Sequence, residues 1–173
     1  MEYAIIIVLL LILLVIWIKS TRKKLVTMDE NVSNAMGQIG VQLASRFDVL
    51  SVLLNLVKGY AGCEVLSLMS TLKSQRNDIT ATSTPEEVLG QEGLISEALV
   101  RIAAMGEQYP ELKADKNYIM CIDAADSYKR MVHTSSLIYN DSVRKLNGVI
   151  GRLPDGLIAG LLGFRQREYL KYQ

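Results

Sequence analysis

Cysteine, histidine and proline are scarce in this chain, and each scarcity narrows the chemistry open to it. Two cysteines occur in 173 residues, Cys63 and Cys121. They lie far apart and form no CxxC spacing, so they support neither a disulfide scaffold nor a zinc site. Neither stands beside a basic residue or at a clear helix start, the usual ways of lowering a thiol pKa. Both read as small buried hydrophobes. The one histidine, His133, has no Cys, Asp or Glu three or four residues away, the spacing a helical metal site requires. Gly156, Gly160 and Gly163 lie in an apolar stretch with no following Gly-Lys-Ser or Gly-Lys-Thr, so no phosphate loop is present. The pair Glu86-Glu87 suits a helix cap, and Asp123 with Asp126 a solvated face. With no nucleophile–base set, the expectation is a protein without catalysis, cofactor or metal. The formal net charge of +1 offers nucleic acid no attraction. No stretch alternates with a period of two and no internal repeat appears, which leaves an all-α reading.

What is abundant is aliphatic sequence. Tyr3 to Ile18 is an unbroken apolar run, YAIIIVLLLILLVIWI. As a helix it spans about 24 Å at 1.5 Å per residue, slightly short of a ~30 Å hydrocarbon core. Trp17 at the interface and a snorkelling Lys19 close the gap. A cleaved signal peptide is the alternative. Against it, Glu2 stands where a basic n-region would be, and no small-residue cleavage site follows. The run is read as a retained anchor, residues 1–20. Lys19, Arg22, Lys23 and Lys24 follow it, and the positive-inside rule then puts residues 21–173 in the cytoplasm.

The remaining chain reads as helices separated by its three prolines. Leu25, Val32, Met36, Ile39 and Leu43 recur in helical steps, and Phe47, Leu50, Leu53, Leu54 and Val57 continue the stripe. Gly37 and Gly40 beside it suggest close approach of another helix backbone. An up-and-down bundle needs a turn, and Ser45-Arg46-Phe47-Asp48 is the most polar place for one. Asp48 would then cap a second helix from about Val49 to Asp78, with Val52, Leu53, Leu56, Tyr60, Cys63, Ser67 and Leu68 on its face. Residues 77–84 form a loop. Thr84, Pro85 and Glu87 make a capping box that starts a third helix, running to about Gln108. Tyr109-Pro110-Glu111 breaks the chain. A long fourth helix follows from about Glu111 or Asp115 to Arg152, with Ile122, Ala125, Val132, Tyr139, Val143, Leu146, Ile150 and Leu153 buried and Lys129 and Ser136 as gaps. Pro154-Asp155-Gly156 ends it. Leu157 to Tyr172 is expected as a short tail helix, either docked on the bundle or, through its apolar start and basic end, touching an anionic leaflet. The fold class expected is all-α: an N-terminal transmembrane helix followed by an antiparallel bundle of about four long helices.

Three blocks then carry a resemblance: LVTMDENVSNAMGQIGVQLASRFDVLSVLLNLVKGYAGCE, EQYPELKADKNY and YNDSVRKLNGVIGRLPDGLIAGLLGFRQREYL. In this order, behind such an anchor, they resemble the LemA family over almost everything after the span. Departures fall at Ser51, where the family usually has proline, at Cys63 in place of a histidine, at Lys129-Arg130-Met131, at Ser135-Ser136 and at Leu146. The resemblance implies a single-pass inner-membrane protein with a cytoplasmic helical bundle and no established enzymatic activity. It implies a scaffold or interaction role whose partners are the lipid bilayer and a membrane or cytoplasmic protein. A sensor or adaptor, or an organiser of membrane organelles, is the alternative. The family-motif positions retained are Arg46, Asp48, Gly59, Tyr60, Glu64, Tyr109, Pro110, Tyr139, Asn140, Asn147 and Pro154. They read either as bundle-specifying contacts or as the lining of a partner groove. In the first reading Arg46 pairs with Asp48 or Glu64, and Tyr139, Asn140 and Asn147 bond between helices.

Overall fold

The structure, a computed structural model, describes residues 1–171. It is all-α: α1 (Glu2–Gln75), α2 (Pro85–Gln108), α3 (Pro110–Ala114), α4 (Lys116–Ile150) and α5 (Asp155–Leu161). No strand occurs among the described residues. The apolar run and the first bundle helix are one continuous helix, as the absence of any breaker between them predicts. Residues 3–16 of it stand open to the surroundings, and Leu25, Val32, Met36, Ile39 and Leu43 are buried.

The expected turn at 45–48 does not exist. Residues 45–48 are helical, and Asp48 lies mid-helix on the surface rather than at a cap. The reversal comes at Ala61, whose φ of −118° and ψ of 31° leave the helical region. It divides α1 into a first arm, residues 2–60, and a second arm, residues 62–75. A straight helix would hold residues 47 and 76 about 43 Å apart. Instead the Arg76 guanidinium carbon lies 5.2 Å from the Phe47 ring centroid, and Arg76 Nη1 is 3.8 Å from Asp48 Oδ1. The second arm therefore folds back along the first. Leu50, Leu54, Met69 and Leu72 face one another across the hairpin.

The stripe explains why the first arm stays whole. Positions 32, 36, 39, 43, 46, 50, 53 and 57 alternate steps of four and three, the spacing of a helix packed along its length. All eight are buried. A turn at 45–48 would split that seam. After Ala61 the buried face restarts out of phase at Val65, Leu68 and Leu72. Val52 and Tyr60 fall outside the first-arm stripe, and Cys63 and Ser67 outside the restarted one, so all four are exposed although the reading of one helix from 49 to 78 put them inside. Cys121 is half-buried. Gly40 meets a close backbone as anticipated, but the neighbour is the loop rather than a helix: a Cβ there would overlap the Ile79 carbonyl. Gly37 faces open space.

The capping box at Thr84 forms as read. Thr84 Oγ1 accepts from the Glu87 N–H at 3.3 Å, and Glu87 Oε2 accepts from the Thr84 N–H at 2.9 Å. The helix expected from Glu111 or Asp115 begins at Lys116, with Asp115 capping it through the Asn117 and Tyr118 amides. Ser136 is no gap in the α4 ladder: it is buried, and its hydroxyl donates to the Val132 carbonyl at 2.8 Å. Leu153 lies past the end of α4 and is exposed.

α4 runs antiparallel to the first arm. Its N-terminal half shares the distal end of the bundle with the second arm and α2, and its C-terminal half returns toward the apolar segment. There, only the first arm and α4 remain as long helices. The chain supplies the missing wall differently from the tail helix anticipated to residue 172. Helix α5 stops at Leu161, Gly163 takes a φ of +80°, a conformation open to glycine, and residues 164–171 run non-helically along α4. Tyr172 lies outside the described residues.

Candidate functional site

The retained motif residues fall into three groups. The first surrounds Arg46. Its place in the core ladder leaves its side chain 2% exposed, and Nη1 donates to Glu92 Oε1 at 2.8 Å. The partner is thus neither Asp48 nor Glu64 but a residue on α2. Asp48 is held loosely by Arg76, and Glu64 is exposed, without a hydrogen bond or ion pair among the described residues. Arg46 Nε is buried without a hydrogen-bond partner among the described residues. Beside Arg46 lies a cavity of about 270 Å³ lined also by Leu99, Ile122, Asp126 and Lys129.

The second group is the hairpin corner. Gly59 and Tyr60 immediately precede the break at Ala61, and Tyr60 tilts against Tyr109 with ring centroids 6.0 Å apart. Pro110 opens α3, where its missing N–H costs nothing. These residues join the arm reversal to the α2–α3 corner. Near the other end of α2, a buried glutamine that sequence reasoning missed holds the start of the 77–84 loop. Gln91 accepts from the Asn77 N–H and donates to the Gln75 carbonyl, each at 3.0 Å.

The third group is the most constructed. Tyr139, Asn140 and Asn147 do not bond between helices. They grip the backbone of the strap, residues 164–171. Asn140 donates to the Leu170 carbonyl at 2.7 Å and accepts from its N–H at 2.9 Å. Asn147 does the same for Arg167, at 2.8 and 2.9 Å. The Tyr139 hydroxyl donates to the Glu168 carbonyl at 2.9 Å. The register has a simple origin. Seven helical residues rise about 10.5 Å, and three extended residues span about 10 Å. Two asparagines seven apart on α4 therefore meet two strap residues three apart. Each asparagine amide presents a donor N–H and an acceptor C=O side by side, the complement of one strap residue's own carbonyl and N–H. Leu170 is buried in the core, and Arg167 reaches over to Asp29 of the first arm at 2.9 Å. Pro154 follows a cis peptide bond at Leu153 and precedes α5.

Burial beneath the strap pushes the Tyr139 hydroxyl pKa above its ordinary value of 10.0, with Arg167 opposing and Glu168 adding to the rise. A raised acid pKa means that the folded state favours the protonated phenol. Its contribution to stability is complete below about pH 10 and is lost as pH climbs through the folded-state value. Tyr139→Phe is thus expected to be less stable than wild type by about 1 kcal/mol at neutral pH. That gap should narrow in denaturant melts taken above pH 10. A gap independent of pH would refute the assignment.

On the other side of α4 the two-helix half is open. A groove of about 490 Å³ lies between the first arm and α4, lined by Met28, Ala35 and Gln38 on one and Ile138, Ser142 and Lys145 on the other. At 100° per residue, Ile138, Ser142 and Lys145 point roughly half a turn away from Asn140 and Asn147. Strap and groove therefore occupy opposite sides. Among the described residues no cluster of three His, Cys, Asp or Glu could hold a metal.

Of the membrane-flanking residues, Lys19, Arg22 and Lys23 are exposed, Trp17 is partly covered, and Lys24 lies 3.7 Å from Asp155. Among the described residues, one helix is long and apolar enough to cross a membrane, with a mean hydropathy of 2.8 over its most apolar window.

The fold and its motif groups define an all-helical protein in which an apolar N-terminal helix runs directly into a strapped bundle. The chain belongs to the LemA family, whose sequence model matches residues 35–173. No curated protein matches the chain.

Proposed function

We propose that the chain is a membrane-anchored, non-enzymatic interaction module of the inner membrane, with its bundle in the cytoplasm. The anchor is residues 1–20, and the working surface is the groove between the first arm and α4. One observation carries this reading. The half of the bundle nearest the apolar segment has two long helices among the described residues, its strap closes one side, and the other side stays open over Met28 and Ile138. Apolar residues left open in a groove with a polar rim are what a partner helix or peptide covers. Lipid and a membrane or cytoplasmic protein are the partners this arrangement suits, and the basic flank at 19–24 favours the cytoplasmic orientation.

The buried Arg46–Glu92 pair and the asparagine clamp suit this role better than catalysis. Each is consumed in holding the bundle together and leaves no nucleophile–base set. The strap also favours a second reading, a sensor whose packing changes when residues 164–171 detach.

The test is a photo-crosslinking amino acid at Gln38 or Ser142 in the full chain in its native membrane, with a control at Glu97 on the exposed face of α2. Groove positions are expected to yield a discrete protein adduct that the control does not. Adducts to lipid alone, or the same neighbours from all three positions, would discard the groove as a partner site.

A further inference from the structure

Helix α5 carries apolar residues on both faces. Ile158 and Ala159 turn inward and are buried. Leu157 and Leu161, one helical turn apart, face outward and are 65% and 88% exposed. Leu153, just before the helix, is 78% exposed. Leucines bared so fully and so close together form a patch that a water-facing surface does not favour.

The position of α5 says what covers it. Asp155, its first residue, accepts from the Thr21 hydroxyl at 3.4 Å and lies 3.7 Å from Lys24 Nζ. Thr21 and Lys24 stand three and six residues beyond Ile18, the last residue of the apolar run, which is about 5–9 Å along the helix. The polar layer on each side of a bilayer is roughly 5–8 Å deep, from a ~30 Å core within a ~40–45 Å total. If residues 3–18 span the bilayer, α5 sits at headgroup depth, on the end of the bundle nearest the lipid. Trp17, one turn from Thr21 on the same side of the helix, is only partly exposed while Ile16 is open. Basic side chains stand at the same level: Arg152 and Arg165 near α5 in the sequence, and Lys19, Arg22 and Lys23 on the first arm just past the apolar run, all exposed. Exposed leucines at the level of exposed basic side chains are the composition of an element that lies in an anionic interface.

We infer that α5 is a second membrane contact, in which Leu153, Leu157 and Leu161 enter the headgroup–acyl boundary of the same leaflet from which the first arm emerges. The bundle then stands on the bilayer at two points, which fixes its tilt and rotation about the first arm. The occupant is lipid, not protein. The inference rests on the reading of residues 3–18 as a span, and the experiment separates the two.

Leu157→Trp in a Trp17→Phe background, as the full chain reconstituted in phosphatidylcholine–phosphatidylglycerol bilayers, places the sole indole on α5. Lipids brominated near the headgroup end of the acyl chain are expected to quench most of its emission, and lipids brominated near the methyl end much less. The emission should also lie to the blue of that from a water-exposed indole. The parent chain, with Trp17 alone, tests the span. If Trp17 is quenched and the α5 indole is not, α5 does not touch lipid and the inference falls while the anchor stands. If neither is quenched, both fall. If emission from the α5 indole shifts to the blue only as protein is crowded in the bilayer, without bromine quenching, a second copy covers the leucines and the lipid assignment is overturned.

Discussion

Arg46→Met is expected to destabilise the bundle by about 3–5 kcal/mol, because it leaves the Glu92 carboxylate buried without its counter-charge. Methionine is close to arginine in length and fills the same place in the 43–46–50 ladder, so little of the loss comes from an empty cavity. Glu92 has a side chain only 11% exposed, which limits how far water can replace the guanidinium 2.8 Å away. Arg46→Lys should recover part of the loss at most, since a lysine ammonium is a point charge without the planar fork of arginine. The decisive variant is the double replacement Arg46→Met with Glu92→Leu. Removing both charges together is expected to restore wild-type stability or exceed it by about 1–4 kcal/mol. The Arg46 Nε, buried without a hydrogen bond among the described residues, adds to the cost of keeping the arginine. Thermal melts of the full chain in detergent micelles, followed by circular dichroism, decide the matter. A double variant as unstable as Arg46→Met would show that the pair does more than neutralise itself.

The second large effect belongs to the strap. Leu170→Ala is expected to cost about 2–5 kcal/mol, the range for deleting a buried leucine side chain, since Leu170 is 2% exposed. Asn140→Ala should cost about 1–3 kcal/mol, because it strands the Leu170 N–H and carbonyl where little water reaches. The two substitutions act on one strap residue, so their effects should fall short of additive, with a coupling of about 0.5–3 kcal/mol. Amide exchange gives the local readout. The Leu170 and Arg167 N–H groups, each bonded to an asparagine oxygen, should be protected in wild type, and Asn140→Ala should expose the first more than the second. Equal loss at both would mean that the strap peels as one piece. Additive costs would mean that the clamp and the buried leucine are independent.

The corner of the hairpin shows where sequence reasoning loses its footing. A polar tetrapeptide at 45–48 looks like the better turn, and the stretch Gly59-Tyr60-Ala61-Gly62 like a weak point inside a helix. Local propensity differs by about 1 kcal/mol per residue at most between such choices. An unbroken core seam through Leu43, Arg46 and Leu50, together with Arg76 folded onto Phe47 and Asp48, outweighs that. The polar character of Arg46 misleads for a related reason. In the pattern it is an interruption, yet it occupies a core position, and only α2, packed alongside, brings the glutamate that makes this tolerable.

Some of the design lies in the order of residues alone. The sixteen apolar residues from Tyr3 to Ile18, the stripe from Leu25 to Val57 and the capping box at Thr84 depend on local spacing, because hydrophobic periodicity and helix caps are short-range effects. Membership in the LemA family is likewise legible, since ordered motifs survive without reference to their contacts. The reversal at Ala61, the Arg46–Glu92 pair and the strap were decided only by the tertiary structure. Each depends on contacts between residues far apart in the sequence, from 20 positions for Asn147 with Arg167 to 138 for Arg167 with Asp29. Residues 164–171 find their hydrogen bonds not in a helix of their own but in asparagines on α4. No local pattern records that, because the two segments meet only once the chain has folded back.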